Sequence, residues 1–173
     1  MGLDAALRVA PHGRRITSRA MKILGLLIIL TLFAVAAFLI FVRVAPDRAE
    51  KAHVDPVTDG ATTSASYVLR APDALVFATT SEALFDAANA YVLSQLDARA
   101  IANGPEPLHV TYVVRSRMFR FPDDLSIRAV EAEGGAVLAV HSRSRYAGSD
   151  LGINRKRVEA LMDHLAGTFP VAP

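Results

Sequence analysis

Between Ile23 and Val42 the chain runs for twenty residues, ILGLLIILTLFAVAAFLIFV, without a single charge. No other stretch limits the possible folds so strongly. At 1.5 Å per residue, a helix of this length spans about 30 Å, the hydrocarbon thickness of a bilayer. Thr31 is its one polar side chain, and a hydroxyl within a helix can return its hydrogen bond to a carbonyl one turn back. In lipid every backbone polar group needs an internal partner, so the run reads as one transmembrane helix.

The flanking charges orient it. Before the run stand Arg8, Arg14, Arg15, Arg19 and Lys22 against Asp4; after it, Arg43, Arg48 and Lys51 are mixed with Asp47, Glu50 and Asp55. The Lys/Arg excess predicts that residues 1–22 form a cytoplasmic tail and that the rest of the chain is exported. In a bacterium this means an inner-membrane anchor and a periplasmic domain. The competing reading is a cleaved signal peptide, whose apolar core is shorter and ends at a small-x-small site. Arg43-Val44-Ala45-Pro46 makes a poor site, so an uncleaved anchor is expected. Met21-Lys22 also reads as a natural start, and starting there weakens the charge bias without changing its sign.

The chain as a whole is +2, with 19 basic and 17 acidic residues. Without the five basic and one acidic residues of the tail, the exported part has 14 against 16 and is slightly acidic. Nonspecific nucleic-acid binding therefore has no electrostatic basis. There is no cysteine, so no disulfide holds the fold. About 130 exported residues suffice for one domain with its own core.

Residues 43–66 read as a flexible tether, because Pro46, Pro56, Asp59-Gly60 and Thr62-Thr63-Ser64-Ala65-Ser66 oppose a packed element. Extended, the tether reaches on the order of 80 Å, although part of it can also lie on the domain. From Tyr67 to Pro173 the pattern is that of an α+β domain. Val68-Leu69 and Leu75-Val76-Phe77 read as extended pieces covering a sheet. Thr79-x-x-Glu82 reads as a capping box. Leu84, Phe85, Ala88, Tyr91, Val92 and Leu96 then repeat at helical spacing. Leu108, Val110, Tyr112 and Val114 alternate with His109, Thr111, Val113 and Arg115, as in a half-buried strand. Leu125, Ile127 and Ala129 form a second strand, Glu133-Gly134-Gly135 a hairpin turn, and Val137 to Ser142 the returning strand. Val158, Leu161, Met162 and Leu165 mark a last helix, with Asn154 as its cap. The expected architecture is a small antiparallel sheet of three to four strands with two helices on one face.

Arginine is concentrated in one region. From Arg115 to Arg157 there are nine basic residues, eight of them Arg, against five acidic; from Arg43 to Val114 the count is five against nine. Arginine at this density points to bidentate bonding of carboxylates or phosphates. Arg115 with Arg117, and Arg143 with Arg145, are two apart on strands, so each pair faces one side. The blocks Arg115-Ser-Arg-Met-Phe-Arg-Phe-Pro-Asp-Asp124 and Ser142-Arg-Ser-Arg-Tyr-Ala-Gly-Ser-Asp-Leu-Gly-Ile-Asn-Arg-Lys-Arg157 resemble the two signatures of the DUF1499 family. The resemblance is specific in these blocks and looser over roughly Leu75 to Leu165. It implies an uncharacterised bacterial domain, often membrane-anchored or exported, and no particular reaction.

Several readings of these residues compete. In one, Asp123, Asp124, Arg128, Asp150 and Arg157, joined by Arg117 and Arg145, form a structural ion-pair network, since buried charges need partners. In another, Arg115, Arg117, Arg143, Arg145 and the helix start near Asn154 converge on a phosphate, carboxylate or lipid headgroup. A third is an accessory or assembly subunit of a membrane complex, with Ala34, Ala36 and Ala37 permitting close helix approach. A hydrolase is disfavoured. His141, Ser142, Ser144 and Asp124 supply the residue types, but no G-x-S-x-G turn is present and neighbouring strand residues face opposite ways. Asp123, Asp124, Asp150 and Asn154 are oxygen ligands of the kind calcium takes, without the loop spacing of a calcium site. No catalytic residue, metal or cofactor is expected. The partners expected are the bilayer, an anionic ligand or a membrane complex.

Overall fold

The computed structural model describes residues 18–95, 97–116 and 120–173. Its contacts fall into two units, Met1–Ile40 and Phe41–Pro173. The first consists, among the described residues, of helix α1 (Ser18–Val44), whose last residues belong to the second unit. It is long and apolar enough to cross a membrane, with a mean hydropathy of 3.0 over its apolar window. Thr31 donates to the Leu27 carbonyl at 2.8 Å, as its position in an apolar helix demands.

The second unit is α+β. Strands β1 (Ser66–Leu69), β2 (Val76–Phe77), β3 (Ala98–Asn103), β4 (His109–Arg115), β5 (Pro122–Ala132) and β6 (Gly135–Ser144) form one antiparallel sheet in the order β1-β6-β5-β4-β3. β2 pairs with β6 on the same edge as β1, at Val76↔Val137 and Phe77↔Ala136. The sheet therefore has six strands rather than the three or four expected. Val68-Leu69 and Val76-Phe77 do not cover the sheet; they extend it in its own plane. β3 (Ala-Arg-Ala-Ile-Ala-Asn) has little strand propensity; its pairing with β4, broken by a bulge between Ala100 and Ala102, holds it extended.

The hairpin lies where Glu133-Gly134 place it, with Ala132 opposite Gly135 and Gly134 at φ +85°. Only glycine fits at 135, because a Cβ there would lie 1.9 Å from the Phe77 carbonyl oxygen. Helix α3 (Ser81–Gln95) starts one residue later than the capping box implies, since the Ala83 N–H donates to Thr80 Oγ1 at 3.2 Å. Helix α4 (Ile153–Thr168) is capped by Asp150, not Asn154: the Asp150 carboxylate accepts the Gly152 and Asn154 N–H groups at 2.9 and 2.8 Å.

α3 and α4 pack on one face of the sheet. Leu84, Ala88, Val92, Val158, Leu161 and Leu165 meet Val110, Tyr112, Leu125, Ile127, Leu138 and Val140 there in one apolar core. The opposite face carries His109, Thr111, Val113, Asp124, Ser126 and His141, and these too are buried. Residues 42–60 supply the cover, including the short helix α2 (Ala49–Ala52). In this segment Val42, Ala45, Ala52 and Pro56 are buried. The stretch read as a tether thus lies against the sheet. β4, expected to be half-buried, is enclosed on both sides.

Candidate functional site

The polar residues of the domain gather in three clusters, and the pleat decides which face each occupies. On the covered face, Asp124 of β5 sits opposite Arg143 of β6. Its carboxylate accepts from Arg145 Nε at 2.7 Å and from Arg143 Nε at 3.2 Å. Arg145 also donates from Nη1 to Asp47 Oδ1 at 2.8 Å. Asp47 in turn pairs with Arg99 and stands 3.9 Å from Arg115 Nη2. Arg143 Nη2 reaches the Lys51 carbonyl at 2.5 Å. Burial alone would lower the Arg145 pKa, but Asp124 and Asp47 outweigh it and hold the guanidinium charged, above its ordinary value. One atom of this cluster is left over: the buried Nη2 of Arg145 has no hydrogen-bond partner.

A cleft of about 380 Å³ opens beside this cluster. Arg48, Lys51, Asp124, Arg143 and Arg145 line it, with Phe41, Pro46 and Tyr146 among its apolar walls. The Phe41 and Tyr146 rings meet edge to face at 6.1 Å. Asp124 and Asp47 neutralise Arg143 and Arg145, whereas Arg48 and Lys51 form no ion pair among the described residues. The cleft therefore keeps a net positive charge. Arg43, Arg115 and Arg120 line a second, more open hollow.

The second cluster lies on the helix face, under the start of α4. Asn154 is fully buried; its Oδ1 accepts from Ser142 Oγ at 2.6 Å and from Arg157 Nη1 at 2.7 Å. Its Nδ2 donates to the Ala65 carbonyl at 3.1 Å. Arg157 completes the set by pairing with Asp123 at 2.8 Å. Burial pushes the Asp150 pKa up, but the Asn154 and Gly152 N–H bonds prevail and hold it below the usual carboxylate value. The helix start is thus already occupied by a carboxylate from the chain itself.

The third cluster holds residues 53–55 to the sheet. His53 Nδ1 bonds Thr111 Oγ1 at 2.8 Å, and Thr111 bonds Ser126 at 2.8 Å. The His53 and His109 rings stack with centroids 4.1 Å apart, and His109 Nε2 lies 3.2 Å from the Val54 carbonyl. Arg128 pairs with Asp55 and, at 3.0 Å, with Glu106. Gly104 makes room for the rings: a Cβ there would meet His53 Nε2 at 2.5 Å and His109 Nδ1 at 2.8 Å. Burial and then the neighbouring His53 lower the His109 pKa. Burial, followed by Arg143 and Arg70, lowers that of His141 to about 4.

Of the residues expected to form one anion site, Arg115, Arg143 and Arg145 gather around Asp47 and Asp124, and Asn154 does not join them. Arg143 and Arg145 share Asp124. Arg115 turns to Asp47 and the Arg120 carbonyl. Asn154 is on the other face of the sheet, bonded to Ser142 and Arg157, and Arg117 lies outside the described residues. The expected ion-pair network is three separate ones, with Asp123–Arg157, Asp124–Arg143/Arg145 and Arg128–Asp55/Glu106 apart and Asp150 serving as a cap. Asp123, Asp124 and Asp150 thus face different partners, so the oxygen set weighed for calcium is not assembled. Composition hid Asp47, Arg48, Lys51 and Asp55. The acidic surplus before Val114, facing a basic surplus after it, was the available signal that the two stretches pair.

The family model described as "Protein of unknown function (DUF1499)" matches residues 45–165. The match begins inside the segment that covers the second face, so that segment is part of the family's domain. No curated protein and no solved structure matches the chain. Over more than half of its length, the chain belongs to the DUF1499 family.

Proposed function

We propose that this is a bacterial inner-membrane protein whose periplasmic domain binds an anionic group, a phosphate free or in a lipid headgroup, in the Arg48–Lys51–Arg143–Arg145 cleft. The basic residues before Ile23 support the orientation through the positive-inside bias. The observation that carries the ligand class is the charge of the cleft: Arg48 and Lys51 line it with no ion pair among the described residues, beside an Arg145 that keeps one buried N–H group without a partner. Guanidinium and ammonium groups brought together in this way match phosphate oxygens.

The test separates binding from folding. Arg48→Gln with Lys51→Gln removes two charges that no carboxylate needs, so the domain stays folded. At about 1 kcal/mol per basic residue near a membrane surface, affinity falls about thirty-fold. Native mass spectrometry of the detergent-purified full chain, with phosphatidylglycerol in one arm and inorganic phosphate in the other, reads the loss and identifies the source. Equal retention by the double variant, or no retention by the wild-type chain in either arm, overturns the reading.

A further inference from the structure

The loop that leaves β6 displays apolar side chains where a soluble domain would be expected to bury them. Leu151 is 88% exposed, Ile153 52% and Tyr146 42%. A lone exposed leucine needs no explanation, but this loop is not slack. Ser64 Oγ donates to the Gly148 carbonyl at 2.7 Å, the Asp150 N–H donates to the Ser64 carbonyl at 2.9 Å, and the Asp150 side chain holds Gly152 and Asn154. Leu151 itself is fixed at φ +53°, in a left-handed conformation that leucine rarely adopts. Strain maintained by the surrounding bonds marks a position held for a purpose.

We propose that the loop from Tyr146 to Ile153 is a second membrane contact, which sets Leu151 and Ile153 into the interface of the bilayer that Ile23–Val42 spans. The topology brings the required groups to one end of the sheet. β4 ends there at Arg115, opposite Pro122; β6 ends at Ser144, opposite Asp123; and β1 begins beside Arg143. Tyr146 meets Phe41 at this end, and from Phe41 the chain passes directly into the apolar run. Leu151 follows Tyr146 by five residues, so it lies within about 18 Å of it even if the chain is fully extended. Arg43, which forms no ion pair among the described residues, and Arg155, whose one carboxylate partner among them is the equally exposed Glu159, complement lipid phosphates there. Apolar side chains rimmed by arginine are the signature of an interfacial contact. A bilayer is the occupant favoured because covalent continuity keeps it within reach at all times, whereas a protein partner would have to be supplied.

The inference rests on the membrane placement proposed above and does not require the cleft to bind an anion. The chain contains no tryptophan, so single substitutions give clean reporters in the full chain reconstituted into nanodiscs. With phosphatidylcholine brominated along its acyl chains, Leu151→Trp is quenched and shielded from acrylamide, and Ile153→Trp, as a second reporter should the strained site reject the ring, behaves likewise. Val171→Trp, near the hairpin at the far end, keeps a water-like emission. Phe33→Trp checks the span. Quenching at 33 without quenching at 151 and 153 overturns the second contact and leaves the anchor standing; no quenching at 33 overturns both; equal quenching at 151 and 171 overturns a directed contact. Repeating the series with phosphatidylglycerol present separates this contact from the cleft. Quenching that is unchanged by the anionic lipid supports the apolar wedge even if the cleft takes no phosphate.

Discussion

The two faces of the sheet are both buried, but different forces hold them. The helix face is an apolar core in which Leu125, Ile127, Leu138 and Val140 meet the stripes of α3 and α4. Such burial is non-directional and scales with area. The other face is polar and is covered by a segment with few large apolar side chains, fastened by Asp47–Arg145, His53–Thr111 and Asp55–Arg128. Directional pairs of this kind add little net energy when made and cost much when half-broken. One face should therefore tolerate loss in proportion to volume removed, and the other should fail abruptly when a single partner disappears.

The strongest way to break that contrast is at Asp124. Asp124→Ala removes the carboxylate that Arg143 and Arg145 share, leaving Arg145 with Asp47 and Arg143 with the Lys51 carbonyl, and is expected to cost about 4 kcal/mol, read as a shift in chemical unfolding followed by circular dichroism. A cost near 1 kcal/mol would mean that the cover is held by something other than its ion pairs. On the helix face, Leu138→Ala is expected to cost about 3.5 kcal/mol through transfer and cavity formation, and Leu138→Met well under half of that.

Acid should loosen the polar face first. The folded-state pKa of His141, about 4, lies below the unfolded value of 6.5, so the unfolded chain takes up its proton at the higher pH. The contribution of this group is complete above pH 6.5 and is lost as pH falls to about 4, by up to about 3 kcal/mol. His109 acts in the same direction. Amide exchange over residues 46–57 should quicken across that window while α3 and α4 stay protected. Asp150, held below 3.8, gives way only at lower pH, which keeps the two effects separate. Gly104→Ala drives a methyl against the stacked histidines and is expected to cost about 2 kcal/mol, together with faster exchange at His53. Glu159→Ala, which breaks the exposed Arg155–Glu159 pair, should change stability by less than about 0.5 kcal/mol.

Legibility in the sequence followed the same division. Apolar patterning is legible in sequence, so the long apolar helix, α3, β4, the β5–β6 hairpin and α4 could be placed from their patterns alone. It reports nothing about a chain fastened by side-chain pairs, and residues 43–66 therefore read as a tether. β1, β2 and β3 were missed as strands because two of them are very short and the third is rich in alanine; tertiary pairing, not propensity, extends them. For the site, spacing paired Arg143 with Arg145, and both meet Asp124, although Arg145 lies one residue beyond the end of β6. Spacing could not show that Asp124 lies between them, or that Asn154, twelve residues after Ser142, is its partner on the opposite face.

Under the membrane anchoring proposed above, copies of the chain would meet at high local concentration, and an open strand is where such copies would fuse. β3 is the outer strand on that side of the sheet. Its register slips at Ala100/Ala102, and Arg99 projects from it to hold Asp47. An irregular ladder carrying a charge is a poor template for a neighbour's backbone. The bulge that interrupts its pairing with β4 would thus guard such a domain against aggregation.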